Sequence, residues 1–387
     1  MTLLYWLLSS ALLYLLGTSL ILARNRYELT SLPKKSESGS HKISVCIPAR
    51  NEEKNIGQLL DAVCTQSYNH FDVHVLDDQS TDSTPSILNE YSQKFPGLLN
   101  VYKGKDKPDD WVGKPWACSQ LAEKSDGDIL LFLDADTIPE PGFLSRTEQA
   151  FSEYQLDMLT VWPRQIMKSF WEQAVLPIVY YSFLTILPTI YVYRKPRWMP
   201  ASLYRRMASV FAAACGQCIA FTRTAYQCIG GHQSVKSIVL EDVEIARQTR
   251  RKGLHLRMFE GVDSISCRMY RSESEIFEGL RKNLLAGFNH SIPRLSAGLL
   301  FHLIVFVLPF FTLITSLLLP DAFLFFLSVG IVSIILLQRL IISTWFRWNP
   351  AYAFSHPIGI LWFERLGAVK ISDHLTGRKT RWKDREV

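Results

Sequence analysis

The chain has 387 residues, with 42 basic and 36 acidic side chains, a net charge of +6, and 48% hydrophobic and 12% aromatic content. So much apolar and aromatic material excludes a disordered chain, and so mild a positive balance gives no electrostatic footprint for nucleic acid. A mean hydropathy of +0.07 is high for a soluble enzyme and directs attention to where the apolar residues gather.

They gather at both ends. Residues 1–23 contain no charged side chain, and Arg24, Arg26, Lys34 and Lys35 follow with Pro33, Ser36, Ser38 and Gly39. The pattern predicts one transmembrane anchor over 1–23 and a polar linker over 24–41. A secretory leader would carry its basic residues before the apolar run, so cleavage is not expected. The positive-inside rule puts everything after Arg24 in the cytoplasm. Between Arg294 and Arg339 the only formal charge is Asp321, which predicts two spanning helices within 295–347. Segment 348–387 follows, with a short apolar stretch from Phe354 to Phe363 read as interfacial and a basic cytoplasmic tail (Arg378, Lys379, Arg381, Lys383, Arg385). All three helices agree on one topology, that of an integral membrane protein with its central domain facing the cytoplasm.

The central region, 42–294, reads as α/β. Short apolar runs at Ile43–Ile47, Val73–Leu76, Ile129–Leu133 and Met158–Trp162 alternate early on with helical patterns at Asn55–Val63 and Ser83–Phe95. Such runs predict a mostly parallel sheet covered on both faces, whose ligands bind beyond the carboxyl ends of the strands. The acidic residues fall at those ends. Pro48-Ala-Arg50-Asn51-Glu52-Glu53 follows the first strand, Asp77-Asp78-Gln-Ser80-Thr-Asp82 the second, and Asp134-Ala-Asp136 the third. Two carboxylates two residues apart beyond a buried strand repel each other unless a cation offsets them. Mg2+ or Mn2+ with a diphosphate is the economical partner, since a hard ion takes one or two carboxylates plus phosphate oxygens. Segment 170–197, apolar and tyrosine-rich with Pro177 and Pro188, is expected to lie along the membrane interface as an amphipathic pair. Seven scattered cysteines predict no disulfide in a reducing compartment, and Cys215-Gly-Gln-Cys218 has no second ligand pair to complete a zinc site.

Further on come Gly230-Gly231-His232, Glu241-Asp242 and Arg268-Met-Tyr270. Together with Pro-Ala-Arg-Asn-Glu-Glu, Asp-Asp-x-Ser-x-Asp, Gly113-Lys114 and Asp-Ala-Asp, this ordered set resembles family 2 glycosyltransferases of the GT-A fold over about 42–288. The flanking apolar helices and the tail Arg381-Trp382-Lys383-Asp384-Arg385 look like the membrane-anchored branch that glycosylates hydroxylated carotenoids. The Gln-x-x-Arg-Trp motif of processive polysaccharide synthases is absent from the sequence.

The resemblance implies inverting transfer of one sugar from a nucleotide-sugar donor, UDP-glucose by family default, to a hydroxyl of a membrane lipid. That lipid is a carotenoid, or alternatively a hopanoid, sphingolipid or glycerolipid. Pro48, Arg50 and Glu52 would line the nucleotide pocket and Asp78 would recognise the base. Lys114 and Arg268 would lie near the diphosphate, Asp134 would hold ribose and metal, and Asp136 would be the direct metal ligand. Asp242 would be the general base, with Glu241 orienting the acceptor side and His232 a candidate contact there. A rival from another class is an aspartate-nucleophile phosphatase, because Leu131-Phe-Leu-Asp134-Ala-Asp136-Thr137 also fits that motif.

Overall fold

The computed structural model describes residues 2–34, 39–318, 321–378, 381–382 and 385–386. Residues 35–38 of the expected linker, the turn at Leu319 and Pro320, and Lys379, Lys383 and Asp384 of the expected tail lie outside the described residues.

In chain order the elements run α1 (Thr2–Glu28), β1 (Ile43–Ala49), α2 (Ile56–Cys64), β2 (Phe71–Asp77), α3 (Thr84–Lys94), β3 (Leu99–Lys103), α4 (Gly113–Lys124) and β4 (Ile129–Leu133). They continue with β5 (Thr137–Pro139), α5 (Phe143–Tyr154), β6 (Met158–Gln165), α6 (Phe170–Ile186), α7 (Ala201–Met207), β7 (Cys218–Thr222), α8 (Arg223–Cys228), α9 (Glu241–Arg251) and β8 (Leu256–Cys267). The last are α10 (Glu273–Gly287), α11 (Ile292–His302), α12 (Leu308–Ser316), α13 (Ala322–Trp345), α14 (His356–Thr376) and the two-residue strands β9 (Arg381–Trp382) and β10 (Arg385–Glu386). The chain folds into two compact units, one from Glu28–Ile166 and Thr189–Met269, the other from Met1–Tyr27, Met167–Pro188 and Tyr270–Val387.

The first unit is built on an eight-stranded sheet in the order β3-β2-β1-β4-β7-β6-β8-β5. β1 pairs in parallel with β2 and β4, β2 with β3, and β6 with β8. β7 runs antiparallel to both β4 and β6, and β5 to β8, so the sheet is mixed. Val45, Ile47, Leu131 and Leu133 point to one face, where Leu59, Leu60 and Val63 of α2 and Phe143, Leu144 and Phe151 of α5 cover them. Each such aliphatic side chain contributes about 1.5–3 kcal/mol by leaving water. On the other face Phe132 meets Phe221 and Tyr226 at ring-centroid distances of 6.3 and 5.7 Å. Because both faces are buried, the central strands carry continuous apolar runs rather than alternation. Four strands escape those runs. β3 lies at the sheet edge with alternating burial, β5 has three residues, β7 follows a loop of small residues, and β8 is interrupted by Gly261 and Asp263. The residues after α1 are tied to this sheet, since Thr30 O accepts the Glu260 N–H at 3.0 Å and Ser31 bridges Glu260.

The second unit is helical. Three helical stretches among the described residues are long and apolar enough to cross a membrane: Thr2–Glu28, Ile292–Ser316 and Ala322–Trp345. Leu3, Trp6, Leu13, Leu20, Phe311, Ile314, Phe323 and Phe326 stand exposed on them, an arrangement suited to a hydrocarbon surrounding. Hydrogen bonds join the helices where side chains turn inward. Gln338 Nε2 donates to Leu15 O at 3.1 Å and Ser19 Oγ at 2.8 Å, and Asn25 Nδ2 to Leu184 O at 2.8 Å. Of segment 170–197, expected as an amphipathic pair, Phe170–Ile186 form the single helix α6, capped by Ser169 and Glu172, with Ala174, Val175 and Leu176 in a core shared with Trp362 and Leu366 of α14. The short apolar stretch at Phe354–Phe363 enters α14, whose Trp362 Nε1 donates to Glu273 Oε1 at 2.7 Å.

Candidate active site

Strand ends of the first unit bring the sequence-selected residues into two groups. At the ends of β1 and β2, the loops 50–53 and 78–84 are laced together. Arg50 Nη1 donates to Asp78 O at 2.6 Å and Gln79 O at 3.1 Å, Asp78 N donates to Ala49 O at 2.7 Å, and Glu52 N donates to Thr84 Oγ1 at 2.8 Å. Asn51 and Gln79 both take left-handed backbone conformations, with φ of 52° and 61°. Such backbone in non-glycine residues is held only by surrounding bonds; here Asn51 Oδ1 accepts the Thr81 N–H at 2.8 Å. Pro48, the last residue but one of β1, lies opposite Leu76, and the Asp78 side chain is buried.

The second group gathers around Gly216, in the turn before β7. Lys114, in the first turn of α4, reaches Asp134 Oδ1 at 2.7 Å, Glu241 Oε1 at 3.4 Å and Gly216 O at 2.9 Å. Asp242, in the first turn of α9, accepts the Gly216 N–H on Oδ2 at 2.9 Å and the Val243 N–H on Oδ1 at 2.8 Å. A Cβ at position 216 would lie 3.0 Å from both Asp242 Oδ2 and Lys114 Nζ, so a larger residue there would crowd both groups. The Asp134–Thr137 turn closes β4 through Thr137 N and Oγ1 to Asp134 O at 3.1 and 2.8 Å. Arg268 N donates to Asp136 O at 3.2 Å, so the residue following β8 sits beside that turn. Beneath it lies a buried polar chain in which Gln165 Nε2 donates to Gln217 Oε1 and Gln217 Nε2 to Cys267 Sγ, each at 2.9 Å.

Charges in this group tune one another. Burial opposes the Lys114 ammonium, yet Asp134 and Glu241 hold its pKa well above the ordinary lysine value. Burial, opposed by Lys114 and reinforced by Asp242, pushes the Glu241 carboxyl up to about 7. Asp242 is also raised by burial, against the pull of Lys114 and its two backbone donors. Burial and then Asp136 drive the Cys267 thiol well above its usual range, so it is a neutral packing group.

His232 lies apart from the carboxylates. It is buried, its Nδ1 is 2.8 Å from Tyr226 Oη, its ring packs edge-on against Phe132, and burial followed by Lys114 lowers it to about 3. A neutral histidine in this setting braces the Gly230-Gly231 turn. Gly231, with φ of 51°, leaves no room for a Cβ because the Tyr226 ring would be 2.5 Å away. Cys215 and Cys218 flank the Gly216 turn as free thiols raised by burial. Gly216, Gln165, Gln217 and Cys267 had no assigned role in the sequence, because their partners come from β6, β8 and α9. The Gly216-Gln217 pair just before a strand is the one local signal that marked them.

A divalent cation fits the donors present in a limited way. Among the described residues no three acidic, histidine or cysteine side chains converge as a cage, and Lys114 engages one oxygen of Asp134. Asp136 with Asp134 offers hard oxygen ligands to an ion that completes its shell from phosphate.

The family model described as glycosyl transferase family 2 matches residues 44–230. The chain is 29% identical over 297 residues to a 4,4'-diaponeurosporenoate glycosyltransferase of Staphylococcus haemolyticus (strain JCSC1435), covering 72% of each chain. It is 27% identical over 278 residues to the protein of the same description from Staphylococcus aureus (strain MRSA252), covering 69% of this chain and 68% of that one. Among solved structures, a mannosyltransferase from Pyrobaculum calidifontis in complex with GDP-Man and Mn2+ shares the fold with a TM-score of 0.54 at 15% identity, over 95% of this chain and 98% of the other.

Proposed function

The domain that carries this site belongs to glycosyltransferase family 2, and from that premise we propose that the chain transfers a single sugar from a nucleotide-sugar donor to a hydroxyl of a membrane-dissolved carotenoid. UDP-glucose is the proposed donor, and transfer proceeds with inversion. The relatives named as diaponeurosporenoate glycosyltransferases support a carotenoid-like acceptor, and the apolar helices support one taken from the bilayer. The aspartate-nucleophile phosphatase reading falls with the family match.

One observation carries the mechanism. Asp242 is held by two backbone N–H groups next to a lysine that also grips Asp134. Asp242 takes the proton of the acceptor hydroxyl as the new oxygen–carbon bond forms and the bond from the anomeric carbon to the diphosphate breaks. Its pKa, raised by burial, makes it a stronger base than an exposed aspartate. Lys114 and Arg268 supply positive charge where the departing diphosphate gains negative charge. Mg2+ or Mn2+, when bound through Asp136 and Asp134, supplies further neutralisation of that leaving group. Pro48, Arg50, Glu52 and Asp78 line the nucleoside end of the donor, and Glu241 orients the acceptor side. Arg24, Arg26 and Arg347 at the helix ends support a cytoplasm-facing domain.

Two measurements test this reading. Asp242→Asn is expected to abolish transfer while nucleotide binding stays within about threefold of wild type; an active variant removes Asp242 as the base. Lipid extracts from cells with and without the gene, compared by mass spectrometry, are expected to differ by a glycosylated carotenoid and its free hydroxylated form. A shift confined to hopanoids, sphingolipids or glycerolipids would move the acceptor to that class.

A further inference from the structure

The helical unit contains a charge that its own transmembrane setting does not explain. Arg339, in α13, is fully buried, and its guanidinium makes one long hydrogen bond, Nη2 to Tyr352 O at 3.4 Å. Its Nε and Nη1 have no partner among the described residues. His356, the first residue of α14 and four residues on from the Tyr352 carbonyl that Arg339 reaches, is also fully buried with neither ring nitrogen bonded. The imidazole is caged edge-on by Tyr181 and Phe306, at centroid distances of 5.0 and 5.3 Å. Tyr181 Oη is spent on Gln338 Oε1. Glu364 Oε1 lies 3.9 Å from His302 Nδ1, and among the described residues no acidic side chain forms an ion pair with Arg339.

A guanidinium does not lose its proton in a protein, and an ionised side chain inside a membrane segment is retained for function far more often than for stability. Here donors outnumber acceptors: Nε–H, the Nη1 hydrogens and one imidazole N–H all face inward without an oxygen to receive them. Burial, then Arg339 itself, hold His356 well below the ordinary imidazole range, so it is neutral. The cluster's net charge is therefore +1. Arg339 lies six residues before the end of α13 at Trp345, about 9 Å along the axis at 1.5 Å per residue.

We propose that Arg339 and His356 form a binding site for the carboxylate head of an anionic amphiphile drawn from the bilayer. A carboxylate carries the single negative charge the guanidinium needs and accepts two of its N–H groups side by side, while its remaining lone pairs take the imidazole N–H. The tail leaves along the apolar surface of the helices. The inference stands independently of the transfer reaction.

The test uses the full chain in nanodiscs of zwitterionic lipid, titrated with oleate, with methyl oleate and with acetate while the thermal unfolding midpoint is followed. Oleate is expected to raise the wild-type midpoint by several degrees and to saturate. Methyl oleate, with the same tail but no charge, and acetate, with the charge but no tail, are expected to leave it in place. Arg339→Gln is expected to lose the oleate shift and Arg339→Lys to keep part of it. A shift common to oleate and methyl oleate overturns the proposal without any variant, even should Arg339→Gln fail to fold. A full oleate shift in Arg339→Gln overturns it, and so does a shift with acetate alone, which would make the ligand a free anion.

Discussion

Replacing Lys114 with methionine keeps the length of the side chain and removes the cation that faces Asp134, Glu241 and, across Gly216, Asp242. An exposed ion pair of this kind contributes about 0–1 kcal/mol, and breaking a fully buried one costs about 3–5 kcal/mol. The Lys114 side chain is 32% exposed, against 29% for Asp134 and 11% for Glu241, which places the loss between those limits, at about 2 kcal/mol near pH 8. The lysine's pKa is raised above its unfolded value of 10.5, so its contribution is fully present at any pH below that value. The loss in the variant then follows the carboxyls. Glu241 and Asp242, already raised by burial, rise further without Lys114 and take up protons as the pH falls, so the deficit shrinks toward pH 5. For a unit of this size about 2 kcal/mol corresponds to roughly 4–8 °C in the unfolding midpoint. Thermal unfolding of wild type and Lys114→Met, in detergent and without nucleotide, at pH 5 and pH 8, reads both the size and the pH trend. Equal midpoints at pH 8, or a deficit larger at pH 5, would refute the charge-balance reasoning.

Other consequences are as direct. Glu241→Gln removes a charge that burial disfavours. Because the Glu241 pKa is raised from 4.5 to about 7, the native state loses up to about 3 kcal/mol as pH rises through that window. The variant should therefore unfold at a higher temperature than wild type at pH 8 and at the same temperature at pH 4. Gly231→Ala meets the Tyr226 ring at 2.5 Å from a backbone with φ of 51°, and should lower stability by about 1–3 kcal/mol in chemical denaturation. Asp136→Ala should weaken Mn2+-dependent donor binding at least tenfold by calorimetry, with metal-independent nucleotide binding little changed.

The α/β character of residues 42–294 was legible because β1, β2, β4 and β6 are continuous apolar runs, and burial on both faces leaves them no alternative. The apolar helices were legible for a similar reason, since twenty uncharged residues have few soluble destinies. Strands β3, β7 and β8 were not. Each owes its place to a neighbour: β3 to the edge of β2, β7 to an antiparallel fit between β4 and β6, and β8 to β6 across a register shift near Pro163. Pairing of that kind leaves only a weak local trace.

The candidate site divides in the same way. Asp78, Asp134 and Asp136 were found from sequence because they lie directly beyond strands that could be seen, and chain direction alone puts such residues at the ligand-binding edge of a sheet. Sequence alone thus determined the membrane anchoring, the alternation of strand and helix, and the acidic strand ends, since these depend on residues within one short window. Only the tertiary structure decided that Lys114 joins Asp134 to Glu241, that Gly216 supplies the N–H that holds Asp242, that His232 turns into the core, and that Arg339 and His356 are both buried with unpaired nitrogens. Those groups come from segments more than a hundred residues apart in the chain, Lys114 and Gly216 by 102, and their pKa values and hydrogen bonds exist only once folding has removed water from between them.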